Sequence, residues 1–597
     1  MDLRLSTARE SAAEREAVDA LLGAEDREAS NNPGRDLLLP ALLAVQSRAG
    51  WVSEGALNYI CRRLDVAPAD AYGVAGFYRM LSLTPRPPAM AYVCEDLVCR
   101  LKGSEDLCLE LERRLGPPTQ PHRPGNSPWQ RSACLGQCDR APAVLVTRAG
   151  VDPEQLSMLE TNPSQVLTAV EGRSLSPPPG TDRKIPQLDQ KALRLLRRVG
   201  RVDPSSLSDY CKHGGYRALP HALHLGPEGV LREVATSGLL GRGGAAFPTA
   251  RKWEAVANAK AKTHYLVCNA DESEPGTFKD RVLLEEDPFA LVEAMAVSAF
   301  ATGCEHGYVY IRGEYPLAAE RLAIAVAQAR ANGFLGARIL GSEFAFDLEI
   351  RQGAGAYICN SLEGYRGEPR TKPPFPVISG LFRKPTVINN VETLANIPDI
   401  VLEGGKAFAS LGTKDSTGTR LFCLSGCVRR PGLYEVPLGT TLGALLDMAG
   451  SVPEGRTLLA VLLGGAAGSF VGPEDLALPL SFEGTRAAGT SLGSGAVMVF
   501  DDTVNPKELM LRLAAFFREE SCGQCVPCRV GTVRQEEVLQ RILRGEKGSR
   551  KQEDLALLSE ISQAMRDASI CGLGQTAASA IQSGLARFGD LPAEGKR

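Results

Sequence analysis

Hydrophobic positions along the chain follow two periods. In LLLPALLAVQ, EGALNYICRRL and DAYGVAGFYRML they recur at helical spacing, which predicts a small helical bundle to about residue 85, punctuated at Gly50 and near Pro68. Residues 1 to about 30 are charged and Ala-rich, and predict a frayed helix or a disordered tail. MAYVCEDLVC reads as a strand running into a loop, SEDLCLELERRL as a helix, and RSACLGQCDRAPAVLV as a loop between two strands. A Pro- and Ser-rich stretch, residues 172–192, reads as a linker. Beyond it come a strand in HYLVCNA, a helix in DPFALVEAMAVSAFATG, a strand in YVYIRG, a helix in LAAERLAIAVAQARANG ending at Gly333, and strands in ARIL and PTVI. This alternation predicts a parallel sheet with crossover helices. From about Thr417 a small β-rich module follows, and the last ninety or so residues read as helical.

With 597 residues the chain is expected to hold several domains. Its 44% apolar and 23% charged residues are ordinary for a globular protein, and a net charge of −3 argues against a nucleic-acid binder. No apolar run is long enough to span a membrane, and the N-terminus lacks a secretory h-region, so a cytoplasmic location is expected. Sixteen cysteines in such a chain argue for metal or redox use over a disulfide framework.

Two cysteine sets stand out. Cys94 and Cys99, then Cys134 and Cys138 after a gap of 34 residues, sit on two loops as C-x4-C and C-x3-C. Four thiolates so placed suit a [2Fe–2S] cluster, with a zinc site or unligated thiols as alternatives. Cys522, Cys525 and Cys528 form C-x2-C-x2-C, and Cys571 follows 42 residues later. Three thiolates on a tight loop plus a distant fourth is [4Fe–4S] spacing, with a zinc knuckle as the alternative. Cys61, Cys108, Cys211, Cys423 and Cys427 read as structural thiols.

A third candidate lies in GRGGAAFPTARKW. Gly241, Gly243, Gly244 and Ala245 let backbone approach a bound group, and Gly241, Gly243 and Ala246 fit G-x-G-x-x-A. A plain turn explains that loop equally well. Asn269, Asp271, Glu272, Ser273 and Glu274 follow the next strand at once, at the end where open α/β sheets bind ligands. Lys252 can offer a charge to a phosphate. Phe247, Tyr357 and Phe375 read first as core aromatics.

GRGGAAFP with its following K-W, CNADESEPGTFKDR, GAGAYIC, KPPFP, PTVINNVET and ESCGQCVPCRVG resemble the flavin- and NADH-binding subunit of respiratory complex I and the related diaphorase subunits of NAD-linked formate dehydrogenases and hydrogenases. The N-terminal part resembles complex I's thioredoxin-like subunit, here fused. The resemblance implies an α/β multidomain chain: a helical bundle (1–85), a thioredoxin-like [2Fe–2S] domain (86–172), a linker (173–192), a Rossmann-like FMN/NADH domain (193–410), a β-grasp soluble-ligand-binding domain (411–504) and a helical [4Fe–4S] domain (505–597). It implies that Gly241 to Phe247 with Arg242, Lys252, Asn269, Asp271 to Glu274, Tyr357, Lys372, Phe375, Asn389, Asn390 and Thr393 hold FMN and NAD(H). Electrons would pass between NAD(H), FMN and the clusters, and no residue need act as a general base.

All four N-terminal cysteines are present, which favours a formate dehydrogenase beta subunit over hydrogenase subunits, where the set is often incomplete. Nothing resembles a pterin, molybdenum, tungsten or nickel site, so the terminal catalyst, a formate dehydrogenase alpha or hydrogenase-type chain with further clusters, is expected as a partner. A cluster-bearing relay subunit with impaired nucleotide binding remains an alternative. One departure is plain. The family continues GAGAYIC with Gly-Glu-Glu-Thr-Ala-Leu and one more apolar residue, whereas here Cys359 runs directly into Asn360-Ser361-Leu362-Glu363-Gly364. The loss of about seven residues, near two helical turns at about 3.6 residues each, predicts a shorter helix from Asn360 with Leu362 still facing the core. It also predicts a more open, less acidic nicotinamide side.

Overall fold

The computed structural model describes residues 4–23, 34–120, 125, 127–172, 185–188, 190, 192–358, 361–543 and 549–588. The N-terminal tail is more ordered than its composition suggests. Ser11 and Glu14 close a reciprocal capping box on a helix at Ala12–Leu22, whose Val18 and Leu22 bury its apolar stripe. Helices Leu38–Ala49, Glu54–Leu64 and Pro68–Ala75 complete the bundle, and Cys61 is fully buried in its core.

A four-stranded sheet follows, with order β2-β1-β3-β4, made of β1 (Ala89–Cys94), β2 (Trp129–Ser132), β3 (Ala143–Arg148) and β4 (Glu154–Leu159). Helix Ser104–Leu115 packs Cys108 into its core. Of the Pro-rich stretch, residues 173–184 lie outside the described residues. Its far end is packed: the Gln187 amide oxygen accepts from the Glu435 N–H at 2.6 Å and its amide N–H donates to the Glu435 carbonyl at 3.2 Å.

The central sheet is parallel, with order β7-β6-β5-β8: β5 (Tyr265–Ala270), β6 (His306–Ile311), β7 (Asp347–Gln352) and β8 (Thr386–Asn390). The chain moves outward from β5 through β6 to β7, then returns to lay β8 on the other side of β5. This makes the carboxyl ends of β5 and β8 the switch point where such sheets open a crevice. ARIL is not a strand: Ile339–Gly341 is a 3-10 turn with Leu340 at φ 51°. The third strand is the half-polar edge DLEIRQ, which presents no apolar run to read.

The β-rich module has order β10-β9-β13-β11-β12: β9 (Thr419–Gly426), β10 (Gly432–Pro437), β11 (Leu458–Leu463), β12 (Ser469–Val471) and β13 (Ala496–Asp501). Helices Pro506–Glu520, Val526–Leu543, Ser549–Ala568, Gly572–Thr576 and Ser579–Phe588 end the described chain. No described helix is long and apolar enough to cross a membrane.

Candidate functional site

A cavity of about 470 Å³ opens at the switch point, and its wall draws on the glycine loop, the ends of β5 and β8, and the segment after β7. Gly244 has φ +112°, a conformation that favours glycine, and a Cβ on Gly243 would press on Asn390 at 3.3 Å. After β5, the Asn269 side chain accepts from the Asp271 N–H at 3.1 Å, and Ser273 donates to the Asp271 carboxylate at 3.0 Å. Lys252 donates to the Ile388 carbonyl at 2.6 Å, and burial with the neighbouring Lys372 charge lowers its ammonium to about 8. Lys372 on the wall and Lys252 behind it, with Gly243 presenting no side chain, fit a phosphate-bearing cofactor such as FMN.

Arg242, Gly243, Asn269, Asp271, Glu272, Ser273, Glu274, Tyr357, Lys372 and Asn390 all line this cavity. Other expected residues do different work. The Arg242 side chain is buried and points to the β-grasp module, donating to the Thr417 and Thr419 carbonyls at 2.9 and 3.1 Å, while its backbone N–H is held by Thr393 at 2.9 Å. Asn389 lies on the opposite face of β8 from Ile388 and Asn390 and accepts from the Trp253 indole at 3.3 Å. Phe247 and Phe375 are exposed and Gly241, Gly244, Ala245 and Ala246 stand off the wall, so Tyr357 is the one of the three aromatics that lines the cavity. Glu272 caps the helix Lys279–Glu286, accepting from the Asp280 and Arg281 N–H groups at 3.0 Å each; burial, with Asp280 adding, raises its carboxyl to about 7. Glu274 accepts from the Ala467 N–H at 2.9 Å, and burial raises it to about 7.

Sequence reading missed Lys279, Asp280 and Ser494. The buried Lys279 ammonium donates to Asp280 at 2.6 Å and Asn390 at 3.0 Å. Both residues lie in the FKDR run that follows the recognised polar cluster, so proximity was the available signal. Ser494 reaches the cavity from the β-grasp module, 2.6 Å from the Thr277 hydroxyl, and no local pattern announces it.

Cys359 and Asn360 lie outside the described residues, so the start of the expected short helix does too. What is described is one 3-10 turn, Ser361–Glu363, ended by Gly364 at φ +74°. Leu362 is half-buried and lines the cavity instead of entering the core. Glu363 accepts from the Phe382 N–H at 2.6 Å and pairs with Arg370, contacts that bind the turn to the chain ahead of it.

Cys94, Cys99, Cys134 and Cys138 are all buried: Cys94 ends β1, Cys99 lies in the short helix Leu97–Leu101 and not in a loop, and Cys134 and Cys138 follow β2. Cys134 and Cys138 sulfurs lie 3.5 Å apart, the Gly136 N–H points at the Cys134 sulfur at 3.4 Å, and Cys94 is within reach of both Cys134 and Cys99. Among the described residues no three His, Cys, Asp or Glu close on a single ion; the thiol contacts run from Cys99 to Cys94 to Cys134 to Cys138. The central domain clasps this loop. Buried Arg281 holds Asp139 at 2.7 Å and contacts Gln137, and buried Arg312 donates to the Cys134 carbonyl at 2.6 Å. A Cβ at Gly136 would meet the Tyr315 hydroxyl at 2.0 Å, so only glycine lets the loop seat there. A small void reaching Cys134 shares Ser273 and Tyr357 with the large cavity as a common wall.

Cys522, Cys525 and Cys528 lie where helix Pro506–Glu520 ends and the next begins at Val526, so Cys528 is already helical. Each is close enough to Cys571 to feel its charge. Cys571 precedes the turn of helix whose Leu573 and Gly574 N–H groups face its sulfur, and burial raises its thiol. A Cβ on Gly574 would meet the Cys528 side chain at 2.8 Å.

The Nuo51 FMN-binding domain matches residues 234–399, around the cavity. The thioredoxin-like [2Fe-2S] ferredoxin matches 26–160, the SLBB domain 421–464, and the NADH-ubiquinone oxidoreductase-F iron-sulfur binding region 508–593. The protein is thus an oxidoreductase of the NADH dehydrogenase, or diaphorase, class, with FMN-binding, [2Fe–2S] and [4Fe–4S] domains. The F 2 chain of the NADH-quinone oxidoreductase of Rhizobium meliloti is 47% identical over 66% of this chain and 95% of its own length. The NADP-reducing hydrogenase subunit HndC of Solidesulfovibrio fructosivorans is 44% identical over 67% and 83%. The chain belongs to the F-type family of NADH-quinone oxidoreductase subunits. Among solved structures, a chain of the air-oxidised NAD+-reducing [NiFe]-hydrogenase resembles it with TM-score 0.78 and 32% identity over 94% of each chain.

Proposed function

We propose that this chain exchanges electrons between NAD(H) and its iron–sulfur clusters as the NAD-linked subunit of a cytoplasmic formate dehydrogenase, with the terminal catalyst on a separate subunit. Cys94, Cys99, Cys134 and Cys138 would hold the [2Fe–2S] cluster, and Cys522, Cys525, Cys528 and Cys571 the [4Fe–4S] cluster. FMN would lie against Gly243, Asn269, Asp271, Lys372 and Asn390, with Lys252 beneath β8 supplying positive charge. A flavin bound there supplies the exchange between two-electron hydride chemistry and one-electron transfer.

The carrying observation is the position of Tyr357. It lines the cavity, shares its wall with the void reaching Cys134, and donates its N–H to Glu520, two residues before Cys522. Tyr357 therefore stands between the cavity and both cysteine sets, through the void at Cys134 on one side and through Glu520 on the other. The complete N-terminal cysteine set favours formate as the partner's substrate. The 94% two-way match to an NAD+-reducing hydrogenase chain supports a second reading, in which the partner is a hydrogenase module.

The test is a cofactor inventory of the purified chain (flavin, iron, sulfide, zinc), then NADH-dependent dye reduction. The co-purified complex is next assayed with formate and with hydrogen. Flavin with about six irons per chain supports the reading, one [2Fe–2S] and one [4Fe–4S] cluster together. Zinc in place of iron, or clusters without flavin, would overturn it.

A further inference from the structure

The segment between β7 and β8 forms the cavity wall through Tyr357, Ile358, Leu362, Glu368 and Arg370, and the N-terminal bundle supports it from outside at several points. The backbone N–H groups of Arg79 and Met80 donate to the carbonyls of Gly355 and Ala354 at 3.4 and 3.1 Å. Gly367 is pressed between the Ile358 carbonyl and the Phe77 ring, which a Cβ would meet at 1.9 and 2.6 Å. The turn Arg35–Leu37 bears on the other end. The Arg35 carbonyl lies where a Cβ on Gly364 would sit, at 1.8 Å, and the Arg35 guanidinium stacks over the Tyr365 ring at 3.9 Å. The same guanidinium also pairs with Asp70 at 2.9 Å, which ties it back to the bundle. Asp36 is held by Arg351 of β7, at 3.0 Å to its carbonyl and 3.1 Å to its carboxylate.

We propose that Arg35 and Asp36 are positioning residues for the dinucleotide: the N-terminal bundle straps the wall segment that continues from the shortened loop, and so sets nucleotide affinity. The proposal rests on the cavity being the NAD(H) site. Physically, the strap is placed to act. Gly364 and Gly367 lack side chains, so the wall segment's own side chains cannot brace it at those points. At Gly364 the close approach is made by Arg35 of the bundle, and at Gly367 the Phe77 ring of the bundle closes in beside the segment's own Ile358 carbonyl. A cation over an aromatic face is a modest attraction, enough to bias a short loop without being needed for folding. Arg35 is distant in sequence from every cysteine of either set, so loss of its side chain removes no cluster ligand.

The experiment compares full-length, cofactor-replete wild type with Arg35→Ala, Arg35→Lys, Asp36→Asn and Arg370→Ala. It measures flavin and iron content, and kcat and KM for NADH in dye reduction. Arg35→Ala should raise KM about three- to tenfold with kcat within about twofold, since only ground-state placement of the nucleotide is disturbed. Flavin and iron should stay at wild-type levels. Arg35→Lys keeps a cation over Tyr365 and should restore most of the KM. Asp36→Asn should give a smaller rise. Arg370→Ala alters the cavity wall itself and must move KM if this is the nucleotide site. An unchanged KM in Arg370→Ala and Arg35→Ala together overturns the site assignment and the strap with it. A shifted KM in Arg370→Ala alone overturns only the strap. Loss of flavin or iron in Arg35→Ala, or no rescue by lysine, shows a general structural role and also overturns the strap.

Discussion

Tyr357 and Glu520 are joined by a 2.9 Å hydrogen bond from the tyrosine N–H to the glutamate carboxylate. The Tyr357 ring meets Phe516 edge-on at 5.9 Å, one helical turn earlier. The cavity wall is thereby fixed to the helix whose end presents Cys522. Arg79 of the N-terminal bundle reaches the same point, 3.0 Å from the Glu520 carboxylate. Three regions distant in sequence converge on one residue beside the cavity.

If Cys522, Cys525, Cys528 and Cys571 bind one [4Fe–4S] cluster, Cys571→Ala removes the sole ligand that comes from outside the tight loop. One cluster signal should vanish from the EPR spectrum of the reduced protein, and transfer to the partner should stop. Bleaching of the flavin by NADH should persist, because the cavity is untouched. An unchanged spectrum would refute the assignment.

Cys138→Ser in the full-length chain should lower iron by about two atoms per chain, the content of one [2Fe–2S] cluster, with the other cluster intact. Arg281→Met leaves every thiol in place but strips Asp139 of its buried partner. Breaking such a pair costs about 3 kcal/mol, so this variant should lose its [2Fe–2S] signal at lower temperature than wild type. Equal thermal loss in both proteins would show that the clasp does not hold the loop.

Lys252 yields a pH prediction with a definite sign. Burial and Lys372 hold its ammonium near 8 in the free protein. A bound phosphate favours the charged form and raises that value. FMN affinity should therefore be greatest below about pH 8 and fall as pH rises through it. Lys252→Met should bind FMN more weakly and flatten the profile, as followed by flavin fluorescence. An unaltered profile in this variant would place the phosphate elsewhere.

Inserting Gly-Glu-Glu-Thr-Ala-Leu-Leu after Cys359 adds two carboxylates beside the cavity. Carboxylates near a dinucleotide repel an additional phosphate. The native chain should therefore show weak NADH activity with a relaxed NADH-to-NADPH ratio of catalytic efficiencies, and the insertion should raise both. If neither changes, the segment is without functional weight here.

Local chemistry was legible in the sequence because it is written in short spacings. A thiolate set needs cysteines at set intervals, so both candidate cluster sets stand out as patterns. The glycine loop and the polar run after HYLVCNA were equally visible. A long apolar run likewise revealed the helix Pro288–Thr302, which is buried on all sides, and the alternation of helix and strand marked the sheet as parallel. Where the sequence pattern is weak, reading failed. The half-polar edge strand β7 hid behind the more apolar ARIL, because an edge strand need bury only one face.

Only the tertiary structure decided which side chains share the cavity. Asn389 and Asn390 are adjacent and alike in sequence, yet strand alternation sends one to Trp253 and the other to Lys279 and the cavity. Arg242, in the middle of the glycine loop, spends its guanidinium on Thr417 and Thr419. Ser494 and Arg35 arrive from other domains, since contacts between residues far apart in sequence depend on how domains dock and leave no periodic trace along the chain. The sequence by itself determined which chemistry this protein can carry. The docking of the N-terminal bundle, the β-grasp module and the cluster helices onto one parallel sheet decided where that chemistry meets.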